Sequence, residues 1–595
     1  MNIVRKNQYK KNSVLSDFVI ALMLNLFFFL LVLFFCDIKY EVSDDFVIET
    51  ILSGAYGGEI NPRMLFVNVI LGHLLGAIYH VIPGISWYFV FQIFLGFISF
   101  TSVTYFLMKK LPRLSAIIIS TLFILFFSDD IYILIQFTKT SVLAVMSGSL
   151  LFLWGVFAER ICKKMIFIGG VLVIAGSLLR FNSVYLAAPF ILLILLIEII
   201  SIWVNRKEDK KWYQRLCKIG LIGMLLIVCV FSLEEINTQS YIHNANYKEF
   251  AKYNQVRSTI VDYPNYGYWI DEEAYRALGL SENDFNMLVR WNFADNEVFN
   301  IETMKKVSAI MEERRNKVEI LETDVLRCME ERNYEKYSIF WACAILGILT
   351  IICNKKNWWK VFACGLLGGD LLFYYFYVGR VVYRVEYGVY LCAFMFLMYY
   401  FKLDEKIKNN KIVKNIGLSL IAVLCILKIP LYIPDTTYKQ LSDMEYNSYV
   451  NDTFFYSENY DRAKYCKVIN KRDIQEKLIS YMQNNRRDFF FMDFSTTIQT
   501  LYLDVNPIEV VPKDYYDNML YLAGVTTNYP DVKEKLKMAG YENPLKCLVE
   551  ENVYVVDNVN YEMKLLYLQE HYYPNAKMKL YKEIDGYKIW KYYVK

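Results

Sequence analysis

The feature of the sequence that most limits its fold is a series of long apolar runs separated by short charged stretches. A helix that crosses the ~30 Å hydrocarbon core of a membrane needs about 20 apolar residues. Many runs approach this length, and 55% of the 595 residues are hydrophobic. Soluble domains are usually less apolar than this. The sequence therefore predicts a polytopic α-helical membrane protein.

The charged stretches between the runs predict the orientation. Residues 1–14 are basic and precede the apolar run 15–36, which is too long for a signal peptide and lacks a small-residue cleavage site, so we expect a retained anchor. Loops assigned to the cytoplasm are several times richer in Lys and Arg than the short loops assigned to the outside. This bias predicts about eleven spans in the cell membrane, with the N-terminus cytoplasmic and the C-terminal domain extracytoplasmic.

The predicted spans divide the chain into four parts. Residues 1–233 form an N-terminal transmembrane module whose first external loop is 37–63. Residues 234–336 form an external, mainly helical insertion, 337–433 carry the last spans, and 434–595 form an external α/β domain. The spans are expected at 15–36, 85–108, 114–128, 141–158, 165–179, 184–204, 219–233, 337–353, 361–378, 387–401 and 415–433.

Two further features of the chain bear on its secondary structure. The stretch 64–82 is interrupted by His73 and His80 and is followed by a proline, which predicts a helix in the outer interface rather than a span. In the terminal domain, β-branched and aromatic content predicts three strands, and two segments have helical character, the second of which opens on a proline and closes on a glycine. The expected strands are 488–494, 553–556 and 587–594, and the expected helices are 474–484 and 530–540.

Cysteine usage and charge exclude some functions. The 12 cysteines show no ligand spacing for zinc, and the sequence leaves open a disulfide between Cys466 and Cys547. No site for a metal is indicated, no cofactor is certain, and a divalent cation is left open. A net charge of only +4 argues against a nucleic-acid partner.

The acid pair Asp44-Asp45 is the candidate catalytic group. It lies in the first external loop, where a carboxylate can take a proton from an acceptor hydroxyl at the membrane surface. A structural interpretation competes with this one, in which Ser43 caps a helix and the acids complement its dipole. The triplet Ser128-Asp129-Asp130 repeats the pattern and favours the structural interpretation.

Four external cations are candidates for binding the phosphate of a donor. Arginine offers a planar fork that suits phosphate, and terminal Arg and Lys also anchor helices to lipid head groups. Within predicted span 361–378, Asp370 is a candidate intramembrane polar site, because an acid there is costly and should face the bundle or water. The four cations are Lys139, Arg180, Arg380 and Arg384.

The arrangement resembles the GT-C superfamily of integral-membrane glycosyltransferases, which includes protein O-mannosyltransferases and aminoarabinose transferases. An external first loop with an acid pair is followed by a proline-led interfacial helix, Asn61-Pro62-Arg63 and then Met64–Val81. A basic residue after the fifth span and a later proline, Arg180 and Pro189, are also similar to the family's pattern.

The resemblance implies a function. A sugar passes from a polyprenyl-phosphate donor to an extracytoplasmic glycan, polymer or lipid acceptor, with Asp44 or Asp45 activating the acceptor and arginine balancing the departing phosphate. The lipid bilayer, the lipid-linked sugar and the acceptor are the implied partners. A polysaccharide polymerase or ligase, a transporter or flippase of lipid-linked glycans, and a surface receptor or scaffold are the alternative functions.

Overall fold

The structure is a computed structural model that describes residues 11–158, 161–207, 212–317, 338–379, 382–403, 411–428, 476–497 and 506–595. A helix occupies each of the eleven positions where a span is expected. These helices are α1 (Lys11–Phe35), α4 (Trp87–Lys110), α5 (Arg113–Phe127), α7 (Phe137–Phe157), α8 (Lys163–Leu179), α9 (Asn182–Val204), α10 (Trp212–Ile242), α15 (Ser338–Cys353), α16 (Trp358–Tyr377), α17 (Tyr383–Tyr400) and α18 (Lys411–Lys428).

Five of these helices are long and apolar enough to cross a membrane, namely α1 from Ser16 onward, α4, α7, α9 and α10. The protein is thus largely helical, with several helices compatible with a membrane. α10 continues through the predicted boundary at 233 and ends at Ile242. The predicted interfacial stretch forms α3 (Val69–Val81), whose 13 residues measure about 20 Å, too short for a crossing.

Helix α7 is the centre of the helical bundle, because nearly its entire surface is buried. It packs closely against α8 through glycines of both helices. A Cβ atom on Gly169 would lie 2.5 Å from the carbonyl oxygen of Gly148, and a Cβ on Gly148 would lie 2.5 Å from that of Gly169. Small residues at such a crossing let two backbones approach, which strengthens van der Waals packing.

This crossing predicts the effect of adding one methyl group. Gly169→Ala should destabilise the protein by about 1–3 kcal/mol, because the new methyl meets backbone that must move. Gly170→Ala is the matched control, since the nearest atom to its Cβ is a leucine methyl carbon 3.9 Å away. Thermal unfolding of both variants in detergent tests the difference, and equal stabilities would contradict the close crossing.

Two further units follow the apolar helices, the insertion and the terminal domain. The insertion contains α11 (Ala245–Val261), α12 (Glu272–Ala277), α13 (Glu282–Val289) and α14 (Ile301–Lys317). The terminal domain contains α19 (Glu476–Asn484), β3 (Phe489–Met492), β4 (Met519–Tyr521), α20 (Pro530–Met538), β5 (Val553–Val556), α21 (Tyr561–His571), β6 (Ala576–Ile584) and β7 (Tyr587–Val594). The strand order is β4-β3-β5-β7-β6; β4, β3 and β5 are parallel, and β7 is antiparallel to both of its neighbours.

The terminal domain agrees with the expected α/β architecture. Each of the three expected strands and both expected helices is present, and β4, β6 and α21 are additional. A buried ion cluster ties the carboxyl ends of two parallel strands, because Lys564 bridges Asp493 and Asp557 with all three side chains fully buried. Cys466, and with it the disulfide that the sequence leaves open, lies outside the described residues.

The first loop, the insertion and the terminal domain share one hydrophobic core. Helix α2 (Ser43–Ser53) contributes Phe46 and Ile51 to it, and the sheet contributes Phe490. Polar contacts join the same three segments. Asp531 accepts hydrogen bonds from Asn61 (2.8 Å) and Tyr247 (3.0 Å). These three segments, distant in sequence, therefore lie on one side of the helical bundle.

Candidate functional site

Helix α2 carries the acid pair and lies between two cores. Its apolar residues alternate in the direction they face: Phe46 and Ile51 pack under the terminal domain, whereas Ile48 and Leu52 pack against α3 and α4. The helix ends at Gly54, which adopts a left-handed conformation with φ +86° that favours glycine. Because both sides are covered, α2 holds its acids in fixed positions.

The start of α2 differs from the structural interpretation of the sequence. The residue before the helix is Val42, and no side chain caps the first turn, so the expected capping by Ser43 is wrong. Asp44 and Asp45 do lie in the first turn, where acids complement the helix dipole. Asp44 is partly exposed and makes no hydrogen bond or ion pair with residues that the structure describes.

Asp45 is fully buried and is held by donors from other helices. Its carboxylate accepts hydrogen bonds from the hydroxyl of Tyr88 and the amide of Gln92, both at 2.9 Å, and from the backbone N–H of Phe137 at 3.2 Å. Burial nevertheless raises the pKa of Asp45 to about 7, since removing water penalises the charged form more than the donors stabilise it. The side chain thus links α2 to the start of α7.

The pKa of Asp45 predicts a pH dependence of stability. The folded protein retains a proton that the unfolded chain loses above about pH 4. The free energy of unfolding should therefore fall as the pH rises from about 4 to about 7, by on the order of 2–4 kcal/mol. Asp45→Asn should reduce this slope by the contribution of Asp45, as measured by thermal unfolding at several pH values, and the contribution of the buried acid Glu49, whose pKa burial also raises, should remain. Asp44→Asn is the control, and an unchanged slope in Asp45→Asn would contradict the assignment.

Lys139 lies in the first turn of α7 and belongs to a buried ion cluster. Its ammonium group is 2.6 Å from Asp130 and 2.9 Å from Glu41, and its side chain has no exposed surface. The hydroxyl of Tyr383 donates to Asp130 at 3.0 Å. The strand β1 (Lys39–Tyr40) brings Glu41 to this place by pairing with β2 (Leu134–Ile135). The charge of Lys139 is thus balanced inside the protein, away from solvent.

Arg180 lies at the same end of α7 and is partly exposed. Its guanidinium carbon is 4.7 Å from the centre of the Phe137 ring and 5.1 Å from that of Phe66. Phe137 therefore contacts Asp45 through its backbone and Arg180 through its ring. These contacts bring together an acid and a cation that are 135 positions apart in the sequence.

The remaining predicted residues are more scattered. Arg384 lies in the first turn of α17 next to Tyr383; it is partly exposed and forms no ion pair within the described ranges. Asp370 is exposed on α16, facing away from the bundle, and forms no hydrogen bond with the described part of the chain. Arg380 lies outside the described residues. Of the two described residues, Arg384 follows Tyr383, which donates to Asp130 of the Lys139 cluster.

Sequence reasoning missed several polar residues of this region. Glu49 lies one turn beyond Asp45, fully buried, and accepts a hydrogen bond from the hydroxyl of Tyr79 at 3.2 Å. Burial raises its pKa to about 8. The spacing of Asp45 and Glu49, four residues on one helix, was the available signal. Asp130 belongs to the triplet that was treated as evidence for simple helix capping.

One group of side chains could hold a metal ion. The ligand atoms of Asp284, Glu570 and His571 lie within 4.8 Å of one another, between the insertion and the terminal domain. His571 is 2.7 Å from Asp284, and this hydrogen bond raises the pKa of His571. Asp284 also accepts the N–H of Ser281 in the cap of α13. These contacts explain the group, without a metal ion, as part of the contact between the insertion and the terminal domain.

No protein-family model matches the chain, and no curated protein matches it. The fold and site define a largely helical protein with apolar helices compatible with a membrane and a mixed α/β domain at its end.

Proposed function

We propose that the protein is a membrane glycosyltransferase that moves a sugar from a polyprenyl-phosphate donor to an extracytoplasmic glycan, polymer or lipid. The proposal includes about eleven spans, a cytoplasmic N-terminus and an external terminal domain, as the distribution of Lys and Arg favours. The single observation that supports it most is that the first turn of α7 contacts both the helix that carries the acid pair and the partly exposed Arg180. There Phe137 contacts both Asp45 and Arg180.

The two aspartates take different parts in this proposal. Asp45 is fully buried and fixed by three donors, so it positions α2 against α7. Asp44 precedes it, is partly exposed and has no partner among the described residues, so it is the carboxylate that an acceptor hydroxyl can reach. We assign the role of general base to Asp44 and a positioning role to Asp45.

The reaction is a single displacement. The acceptor oxygen attacks the anomeric carbon of the sugar while its proton passes to Asp44, and the bond from that carbon to the phosphate oxygen breaks. The phosphate leaves with the bonding electrons, and the configuration at the anomeric carbon inverts. Arg180 stabilises the negative charge that develops on the departing phosphate, as preorganised cations do in such reactions. Lys139 stays with its two carboxylates, and Arg384 is a second cation for the phosphate.

The proposal is tested by sugar transfer in the purified protein. The protein is placed in lipid nanodiscs with polyprenyl-phosphate hexoses labelled in the sugar, and release of label from lipid to a glycan acceptor is measured. Arg180→Ala should slow the transfer by about 10²-fold, because one charge-stabilising group is lost. Arg63→Ala is the control, since Arg63 contacts Ser240 and Tyr247 on the insertion side. Absence of transfer from every donor by the wild type, or an unchanged rate in Arg180→Ala, contradicts the proposal.

A further inference from the structure

A pocket of about 610 Å³ lies at the opposite end of α2 from the acid pair. Asp44 and Ser53 are nine residues apart on the helix, or about 14 Å. The pocket is formed by the end of α2, the turn between α3 and α4, and the segment 509–513 of the terminal domain. A backbone hydrogen bond of 2.8 Å from Ser86 to Ile508 joins the last two. Its volume suits one or two sugar rings.

The polar groups of the pocket are balanced in charge. Glu509 and Lys513 offer one carboxylate and one ammonium, and Ser53 and His80 add a hydroxyl and an imidazole. Donors and acceptors are thus both present without an excess of either charge. A ligand with several hydroxyl groups can use both kinds of group, whereas the attraction of an anionic head group to Lys513 would be offset by its repulsion from Glu509.

The buried side chain of Glu49 contacts two residues that line the pocket. Tyr79 lines the pocket, while its hydroxyl points inward, donating to Glu49 at 3.2 Å and accepting from the N–H of Trp87 at 3.0 Å. The backbone of Val511, another lining residue, donates to Glu49 as well. A fully buried acid therefore connects the helical side of the pocket to the terminal domain.

An apolar surface adjoins the pocket. Residues of α3 and its C-terminal end expose large aliphatic side chains, and Ile508 of the terminal domain is also exposed. The opposite face of α3 is buried against the bundle. A helix too short to span, with an apolar face turned outward, suits the boundary between head groups and acyl chains. The exposed side chains are Leu74, Ile78, Val81 and Ile82.

From this juxtaposition we infer that the pocket binds the head group of an uncharged glycolipid, whose acyl chains lie along the exposed face of α3. The sugar hydroxyl groups contact Ser53, His80 and Glu509, and the fixed ring of Tyr79 forms one wall. The inference rests on the membrane setting in the proposed function. It does not depend on catalysis by Asp44.

The test is native mass spectrometry of the full-length protein. The protein is released from phosphatidylcholine nanodiscs that contain equal mole fractions of monogalactosyl diacylglycerol and phosphatidylglycerol. The wild type should retain the galactolipid about tenfold more than phosphatidylglycerol, a preference of about 1.4 kcal/mol. Gly84→Phe should abolish this preference, because Gly84 lines the pocket and its Cβ position is open.

Two further variants keep the result interpretable. Gly220→Phe adds the same ring at an open position on α10 and should keep the preference. Glu509→Ala removes one exposed polar group without filling the pocket, and it should also weaken retention of the galactolipid. This variant keeps the test decisive if Gly84→Phe fails to fold. Equal retention of phosphatidylglycerol, or full retention by both pocket variants, overturns the inference. Sugar transfer is measured separately, so loss of transfer with intact galactolipid binding would refute only the proposed function.

Discussion

Asp44→Asn is expected to lower the rate of sugar transfer by about 10²–10⁴-fold, the range that loss of a general base produces. The amide keeps the size of the side chain and cannot accept the acceptor's proton. Stability should change little, because Asp44 is partly exposed and forms no hydrogen bond or ion pair within the ranges that the structure describes. The measurement is the rate of transfer from labelled polyprenyl-phosphate hexose in nanodiscs, together with thermal unfolding.

Glu59→Gln supplies the matched control for this variant. Glu59 is an exposed acid in the same segment, 37–63, and lies beyond the end of α2. It should keep the wild-type rate. Asp44→Glu should recover part of the activity, because it restores a carboxylate that lies slightly farther from the backbone. If Asp44→Asn transfers sugar at the wild-type rate, the first loop has no part in the chemistry.

Lys139→Met should cause the largest loss of stability, about 3–5 kcal/mol, because it leaves Glu41 and Asp130 buried without their common cation. Methionine has a similar length and preserves packing, so the loss reports the charge. The measurement is thermal or denaturant unfolding in a mild detergent.

A triple variant separates charge from packing at this cluster. Lys139→Met combined with Glu41→Gln and Asp130→Asn removes all three charges and should recover a large part of the lost stability, because no buried ion then lacks its partner. Wild-type stability in Lys139→Met alone would contradict the structural role. The same outcome would return Lys139 to the set of cations available for a phosphate.

Much of the helical architecture could be predicted from the sequence, because long apolar runs leave few other structures. Helices occupy all eleven expected positions, and the interfacial stretch is a separate short helix. The start of α2 was less predictable. Ser43 looked like a cap from local sequence alone, whereas the first turn is organised by donors from α4 and α7.

The position of Lys139 shows what local reasoning could not supply. Its partner Glu41 follows β1, whereas Asp130 lies in the short helix α6 (Asp129–Tyr132), and only the pairing of β1 with β2 brings Glu41 within reach. The pair Asp129-Asp130 looked like a repeat of a capping pattern, although Asp130 is an ion-pair partner. Similarly, β4 has three residues, and its place at the sheet edge depends on pairing with β3.

The core shared by α2 and the terminal domain has a consequence for biosynthesis. Phe46 and Ile51 leave the ribosome hundreds of residues before Phe490 and Tyr592, with which they form one core. While the intervening helices are synthesised, those apolar side chains must be protected from water, although the terminal domain that finally covers them has not yet been made. A premature stop before β5, β6 and β7 would leave α2 only partly covered, so quality-control proteases should remove such products even though every helix of the bundle had been made.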